Sequence, residues 1–346
     1  MQISLKSIEE VALQSFRMLG ISDESGRIIS DTILFANKRG VATHGIGRLP
    51  LYIKKIQAGH LNPKDEIETV MDTRAVAVID AHNCMGQVAA YKALKLAISK
   101  AQQYGISAVG VRNSNNFGTA GFFGDLAARA GMAAMIYANA APAIAPTGGT
   151  KKIFGTNPIC YAFPGEEGAD PVLLDMATTV VARGKIRLAA KNGERIPLDW
   201  AIGPDGAPTD NPDEALKGSL LPIAGYKGYG LSMFVDLLAG LLTSSAHAGG
   251  VKTLGKMDED SGNGHLFILI DTMNFLKRED LNKEMKSFRE KVKQCGPEDK
   301  IYMPGEKEYS FRTKNPRTVE INEKQVDEIN DIISTIGVKA RLQHIS

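Results

Sequence analysis

Residues 75–111 read AVAVIDAHNCMGQVAAYKALKLAISKAQQYGISAVGV, and this stretch decides the fold class. Ala75–Asp80 alternates small and β-branched residues, which predicts a strand. Gln87–Gln103 is rich in Ala, Leu and Lys with apolar residues at helical spacing, which predicts a helix. Ile106–Val111 returns to a β-branched run. Strand, helix, strand within forty residues is the unit of an α/β protein. Downstream, the same alternation predicts a helix at Gly121–Ala130 and strands at Met132–Tyr137, Pro158–Phe163 and Pro171–Leu174. Helices follow at Thr178–Ala190 and Leu231–Leu242, then a strand at Leu266–Ile270. A charged amphipathic helix is predicted at Leu281–Gln294. The last helix, Glu323–Ile336, puts Val326, Ile329, Ile332 and Ile333 on one face.

Upstream, residues 1–60 predict a helical layer. Ser7 and Glu10 have capping-box spacing ahead of a stripe containing Ile8, Val11, Ala12, Phe16 and Leu19. Gly20 stops that helix. Ser22 caps a second one, which runs to about Lys38 and closes at Gly40. A third spans about Leu49–Ala58. The segment RGVATHGIGRLP, 39–50, is then a loop between two helices. Asp205–Asp213 is a string of turns, and 247–264, rich in Gly, Ser, Asp and Lys, reads as a mobile loop.

A chain of 346 residues implies about two domains, and 43% hydrophobic residues suffice for a sizeable core. The 41 basic and 39 acidic side chains nearly cancel, leaving no electrostatic footprint for nucleic acid or an anionic membrane. The default partner is a small molecule or a protein. Cys84, Cys160 and Cys295 have no pairing or metal spacing and read as reduced thiols. The N-terminus has no apolar signal core and no uncharged stretch is long enough to span a bilayer, so a cytoplasmic location is expected. The histidines at 60, 82, 247, 265 and 344 share no ligand spacing, so no metal is expected. His265, at the start of a strand, reads as structural.

The dinucleotide fingerprint GxGxxG after a first strand is missing. GYKGYG at 225–230 has related spacing but follows no convincing strand. Four loops are more informative: 113–121 (NSNNFGTAG), 146–149 (PTGG), 155–158 (GTNP) and 225–230. Such loops let backbone N–H groups approach a phosphate, although glycine also marks ordinary turns. Thr43-His44-Gly45 is followed by Arg48 and Tyr52. An imidazole exchanges protons near neutral pH, and a guanidinium holds a carboxylate by a fork. The pattern suits a 2-oxo acid, or else a surface His and a helix-capping Arg. Asp175 could orient a catalytic His or cap the helix near Thr178. Lys227 could meet a pyrophosphate or ribose, or be solvated. Arg183, Lys185 and Arg187 form either a 2′-phosphate site or a solvated helix face.

Taken together, the motifs are Thr43–Arg48 (THGIGR), Asn113–Gly118 (NSNNFG), Ala145–Gly149 (APTGG), Gly155–Pro158 (GTNP), Leu174–Thr178 (LDMAT), Lys227–Gly230 (KGYG) and Pro304–Glu306 (PGE). In this combination and order the sequence resembles the malate/L-lactate dehydrogenase family, also described as L-sulfolactate-dehydrogenase-like, whose relatives include ureidoglycolate dehydrogenase and diketogulonate reductase. The resemblance implies an α/β, non-Rossmann NAD(P)-binding fold with a mixed sheet and a small N-terminal helical domain. It implies a helical layer at 1–60, a scaffold domain at 61–115 and 305–346, and an NAD(P)-binding domain at 116–304. It implies a homodimer that transfers a hydride between NAD or NADP and a small 2-hydroxy or 2-oxo acid. Under it, His44 is the general acid/base with Asp175 as partner. Arg48 holds the substrate carboxylate beside Thr43 and Tyr52. Cofactor contacts fall at Ala140, Gly155, Thr156, Asn157, Asp175, Met176, Ala177 and Lys227.

The sequence departs from the family at Asn116, where relatives carry a histidine that serves some of them as proton acceptor. Asn exchanges no proton near neutral pH but donates a hydrogen bond. Ala140 replaces a hydroxyl residue of some relatives. Two alternatives stay open: a reductase of cyclic imines, and a nicotinamide-binding protein impaired in catalysis.

Overall fold

The computed structural model describes residues 1–297 and 299–345. Its strands are β1 (Gln2–Ser4), β2 (Glu68–Thr73), β3 (Val76–Asp80), β4 (Ile106–Ser114), β5 (Met132–Ala138), β6 (Ile159–Phe163), β7 (Val172–Met176), β8 (Ala201–Ile202), β9 (Ser219–Leu220), β10 (Asn263–Asp271) and β11 (Thr318–Glu320). Its helices are α1 (Leu5–Met18), α2 (Asp23–Lys38), α3 (Leu49–Gln57), α4 (Gly86–Tyr104), α5 (Ala120–Arg129), α6 (Arg183–Asn192), α7 (Pro212–Lys217), α8 (Tyr226–Val235), α9 (Arg278–Lys293), α10 (Glu306–Lys314) and α11 (Glu323–Thr335).

Seven strands form one mixed sheet in the order β2-β3-β4-β10-β5-β6-β7. Only β3 and β4 run parallel; the other pairs are antiparallel. That parallel pair is the strand–helix–strand unit of residues 75–111. Its crossover, α4, buries Ala89, Ala90, Ala93, Ala97 and Ala101 against the sheet. Alanine favours the helix and lets its axis lie close to the strands. Gly105, with φ of 81°, ends it in the left-handed region. α5 packs on β5, β6 and β7.

α1, α2 and α3 form the N-terminal layer, with Ile8, Phe16, Ile29 and Ile53 fully buried. Each such side chain contributes roughly 1.5–3 kcal/mol of burial. The cap of α1 is Ser4, whose Oγ accepts from the Lys6 and Ser7 amides. Ser7 lies inside the first turn and donates to Ser4 O, which corrects the capping-box reading. Ser22 caps α2 as expected.

Two features differ from the sequence reading of the architecture. β2–β4 and β5–β7 flank β10 in a single sheet, so the expected boundary between 115 and 116 falls within one continuous hydrogen-bonded layer. The C-terminal β11 and α11 join the cluster around α1–α3, because β11 pairs with β1 and α11 packs on α3. A smaller apolar cluster, with Ile144, Ile186 and Leu220, ties α6 and α7 to the β8–β9 hairpin. Among the described residues no helix is long and apolar enough to cross a membrane.

Candidate active site

A cavity of about 800 Å³ is lined by the loop after α2, the start of α5, the end of β7, the start of α6 and residues 252–255. The loop after α2 carries two short 3-10 turns, Ala42–His44 and Ile46–Arg48. Asn37 holds it: Oδ1 accepts from the Ile46 amide at 2.9 Å. Gly45 is required there, since a Cβ would sit 2.5 Å from the Asn37 side chain. Thr43 Oγ1 lies 2.9 Å from His44 Nδ1, which orients the ring. Arg48 Nε donates to Thr43 O at 2.6 Å. Its two Nη groups carry no ion pair among the described residues. Burial, and then the Arg48 charge, push His44 down to about 4. The imidazole is therefore neutral at pH 7.

Asn116 enters from the loop between β4 and α5. Gly86 fits against that loop because a Cβ there would meet Asn115 O at 2.2 Å. Asn116 Oδ1 accepts from the Gly118 amide at 3.2 Å and from Tyr52 Oη at 3.4 Å. Tyr52 is almost wholly buried and does not line the cavity; it meets the site through Asn116. Its place under Asn116 follows from the apolar face of α3.

Asp175 sits in β7, and α6 begins only at Arg183, so Asp175 is not a helix cap. Thr178 lies in a bend, its amide and hydroxyl both donating to Thr156 O. The Asp175 carboxylate accepts from the Gly121 amide at 2.7 Å and from the Thr119 hydroxyl, at the start of α5. Burial raises its pKa, with those two donors opposing. The residue lines the cavity, and its carboxylate is anchored by those two donors. Among the described residues no hydrogen bond joins Asp175 to His44, whose Nδ1 faces Thr43 instead.

Ala140, Thr156, Met176 and Ala177 line the same cavity. Gly155 and Asn157 lie behind it. Asn157 is fully buried; its Oδ1 accepts from the Ala140 amide and its Nδ2 donates to Ser232 O. These bonds shape the wall, so their role is support for Ala140 and Thr156. Lys227 is exposed on the first turn of α8 and does not reach the cavity of its own chain.

Sequence reasoning missed Arg39. It is buried, lies over the rings of Tyr309 (4.0 Å) and Phe35 (4.8 Å), and lines the cavity near Asp175. Its Nη1 has no hydrogen-bond partner. Nothing in the spacing around Arg39 marks it; a buried arginine after a helix looks like any basic last turn. The positive charge of Arg39 at the cavity wall, with no ion pair among the described residues, suits an anionic, phosphate-bearing ligand, and the cavity volume is of the size that binds cofactors. The residues present thus fit a nicotinamide dinucleotide.

A family model described as malate/L-lactate dehydrogenase matches residues 3–330. The malate/(S)-sulfolactate dehydrogenase of Methanothermus fervidus is 35% identical over 340 residues, covering 98% of this chain and 99% of that protein. The malate dehydrogenase of Pyrococcus abyssi is 37% identical over 333 residues, covering 93% and 91%. Among solved structures, the sulfolactate dehydrogenase of Methanocaldococcus jannaschii superposes with a TM-score of 0.91 at 34% identity, covering 98% of each chain.

Proposed function

The chain belongs to the malate/L-lactate dehydrogenase family, NAD(P)-dependent oxidoreductases acting on CH–OH groups, and on that premise we propose that it interconverts a small 2-hydroxy acid of the malate or sulfolactate type and its 2-oxo acid. The observation that carries the reading is the convergence of His44, Arg48 and Asn116 on one cavity that Asp175, Met176 and Ala177 also line. NAD or NADP would be held by Ala140, Thr156, Arg39, the start of α5 and residues 175–177. When bound, the nicotinamide supplies or accepts the hydride.

Arg48 binds the substrate carboxylate through its Nη groups, since Nε is committed to Thr43 O. Asn116 donates from Nδ2 to the substrate oxygen, its Oδ1 being occupied. His44 rests as the neutral base and takes the hydroxyl proton in oxidation. In reduction it must first be protonated. A carboxylate on Arg48 offsets the smaller, electrostatic part of the depression, while burial, the larger part, remains. Asp175 acts on the cofactor side, through Thr119 and Gly121, rather than on His44.

The proposal includes a cytoplasmic homodimer. Its three cysteines are free thiols, as a reducing compartment keeps them. α8 and the following turn expose Leu231, Phe234, Leu241 and Leu242, an apolar face suited to a second copy. Lys227 lies at the head of that helix. We retain the helical layer at 1–60 as the unit that supplies His44 and Arg48.

The test is oxidation of NADH or NADPH, followed by absorbance, with pyruvate, oxaloacetate, 2-oxoglutarate and sulfopyruvate. Turnover with one of these acids supports the reading; cofactor binding without turnover of any of them overturns it.

A further inference from the structure

α6 brings Arg183 and Arg187, one helical turn apart, to the cavity wall. Side chains at this spacing share one helix face. The helix meets the His44 loop directly: a Cβ on Gly184 would touch Thr43 Cγ2 at 3.4 Å. Thr43 in turn holds both His44 Nδ1 and Arg48 Nε. The two arginines thus stand beside the end of the cavity where the substrate carboxylate and the reacting carbon are placed.

Their electrostatics are unusual for a solvated helix face. Among the described residues no carboxylate pairs with Arg183, Arg187 or Arg48, whereas Lys252, which lines the same cavity, is neutralised by Glu259 at 3.1 Å. Arg183 donates one Nη2 bond, to Leu216 O at 3.1 Å, which fixes its stem without cancelling its charge. Burial and then Arg187 lower its pKa. Two like charges held together at a cavity wall repel each other, and an anion between them relieves that repulsion. Guanidinium groups match a carboxylate or sulfonate by geometry as well as charge.

We infer that Arg183 and Arg187 form a second anion subsite that binds the distal acidic group of a dianionic 2-oxo acid while Arg48 binds the 2-carboxylate. The inference rests on the proposed 2-oxo acid reductase activity and specifies which members of that class the enzyme prefers. The sequence allows the same pair to meet the 2′-phosphate of NADP, but the contact of α6 with Thr43 puts it beside the His44 end of the cavity, whereas residues 175–177 form the proposed cofactor wall.

The experiment compares the wild type with Arg187→Gln and Arg183→Gln. It reads kcat/KM for oxaloacetate and for pyruvate, together with dissociation constants for NADH and NADPH. The expected result is a fall of about tenfold or more in the oxaloacetate-to-pyruvate ratio for each variant, the loss that goes with one charged hydrogen bond, and an unchanged NADPH-to-NADH ratio. Among the described residues Arg187 makes no side-chain hydrogen bond that its variant would break, so Arg187→Gln keeps the test independent of folding. An unchanged substrate ratio overturns the inference. A selective loss of NADPH binding also overturns it and assigns the pair to the 2′-phosphate. In both cases wild-type turnover shows that the underlying activity stands. A wild type that reduces neither acid overturns that activity and the subsite with it.

Discussion

Tyr52 Oη lies 3.4 Å from Asn116 Oδ1, and the same phenol oxygen accepts from Gln87 Nε2 at 2.8 Å. The phenol has one hydrogen, and with Gln87 donating to it that hydrogen goes to the Asn116 carbonyl oxygen. The amide nitrogen of Asn116 is then the end turned to the cavity. A buried three-residue chain thereby decides which atom of Asn116 meets the substrate.

Tyr52→Phe fills the same volume and removes this bond. It should lower kcat about tenfold with a smaller change in KM, and destabilise the fold by about 1–3 kcal/mol as Gln87 loses its acceptor. Steady-state kinetics and thermal unfolding read the two effects. A variant with wild-type kcat would remove the positioning role.

His44→Ala should lower kcat at least ~100-fold, the low end for a general acid–base residue. The base form of His44 exists above about 4. In wild-type enzyme, kcat/KM for hydroxy-acid oxidation should therefore hold steady from neutral pH downward and fall only toward about 4. An acid limb centred near 6.5, the ordinary value for the ring, would show that the cavity does not depress it.

Arg48 contributes to that depression, so Arg48→Gln should move the acid limb upward. Arg48→Lys keeps the charge and loses the fork. Its limb should stay in place while KM for the acid rises about tenfold. A lysine variant with unchanged KM would argue against carboxylate recognition by Arg48.

Much of this was legible in the chain. The helices at 5–18, 23–38 and 86–104 and the strands at 76–80 and 106–114 follow from periodicity and caps, and His44 with Arg48 follows from motif spacing. β2 was not legible because all six of its residues are exposed, so it has no buried face to write an alternation. α6 was read five residues too early because Thr178–Ala182 carries no helix-breaking residue, while its non-helical path is set by bonds to Thr156 and a bridge to Pro222 across the fold. Arg39 was missed, and the burial of Tyr52 under Asn116 was not foreseen, for a related reason. Which face of a helix meets a cavity depends on the elements packed against it.

His265 lies wholly buried in β10, stacked on Phe117 at 4.5 Å, with Nε2 at 3.0 Å from Ser114 Oγ and Nδ1 unpartnered. Burial pushes it from 6.5 down to about 3. The unfolded chain then binds the extra proton between those values, so stability is full above about 6.5 and is lost as pH falls toward about 3. The slope is roughly 1 kcal/mol per pH unit. His265→Phe should flatten the fall in melting temperature between neutral pH and about 5. A variant whose pH dependence matches the wild type would assign the acid sensitivity elsewhere.

Lys55 is fully buried, and its ammonium donates to Lys256 O and Glu259 O, each at 2.7 Å. The segment expected to be mobile is thus pinned to α3, and its residues 252–255 line the cavity. Lys55→Met should release it, raising KM for the acid several-fold and lowering the melting temperature by a few degrees. Kinetics unaffected by the change would show that the pin serves stability alone.

β10 occupies the centre of the sheet, yet just over three-quarters of the chain precedes it. During synthesis β4 and β5 emerge long before the strand that joins them. Each half-sheet must wait with an unpaired, apolar edge, because its hydrogen-bonding neighbour has yet to be made. Such edges are where chains pair wrongly or aggregate. Closing the gap also brings together segments distant in sequence, which slows folding. The position of one late strand thus makes the nascent chain most exposed to chaperones and self-association between the completion of β7 and the arrival of residue 271.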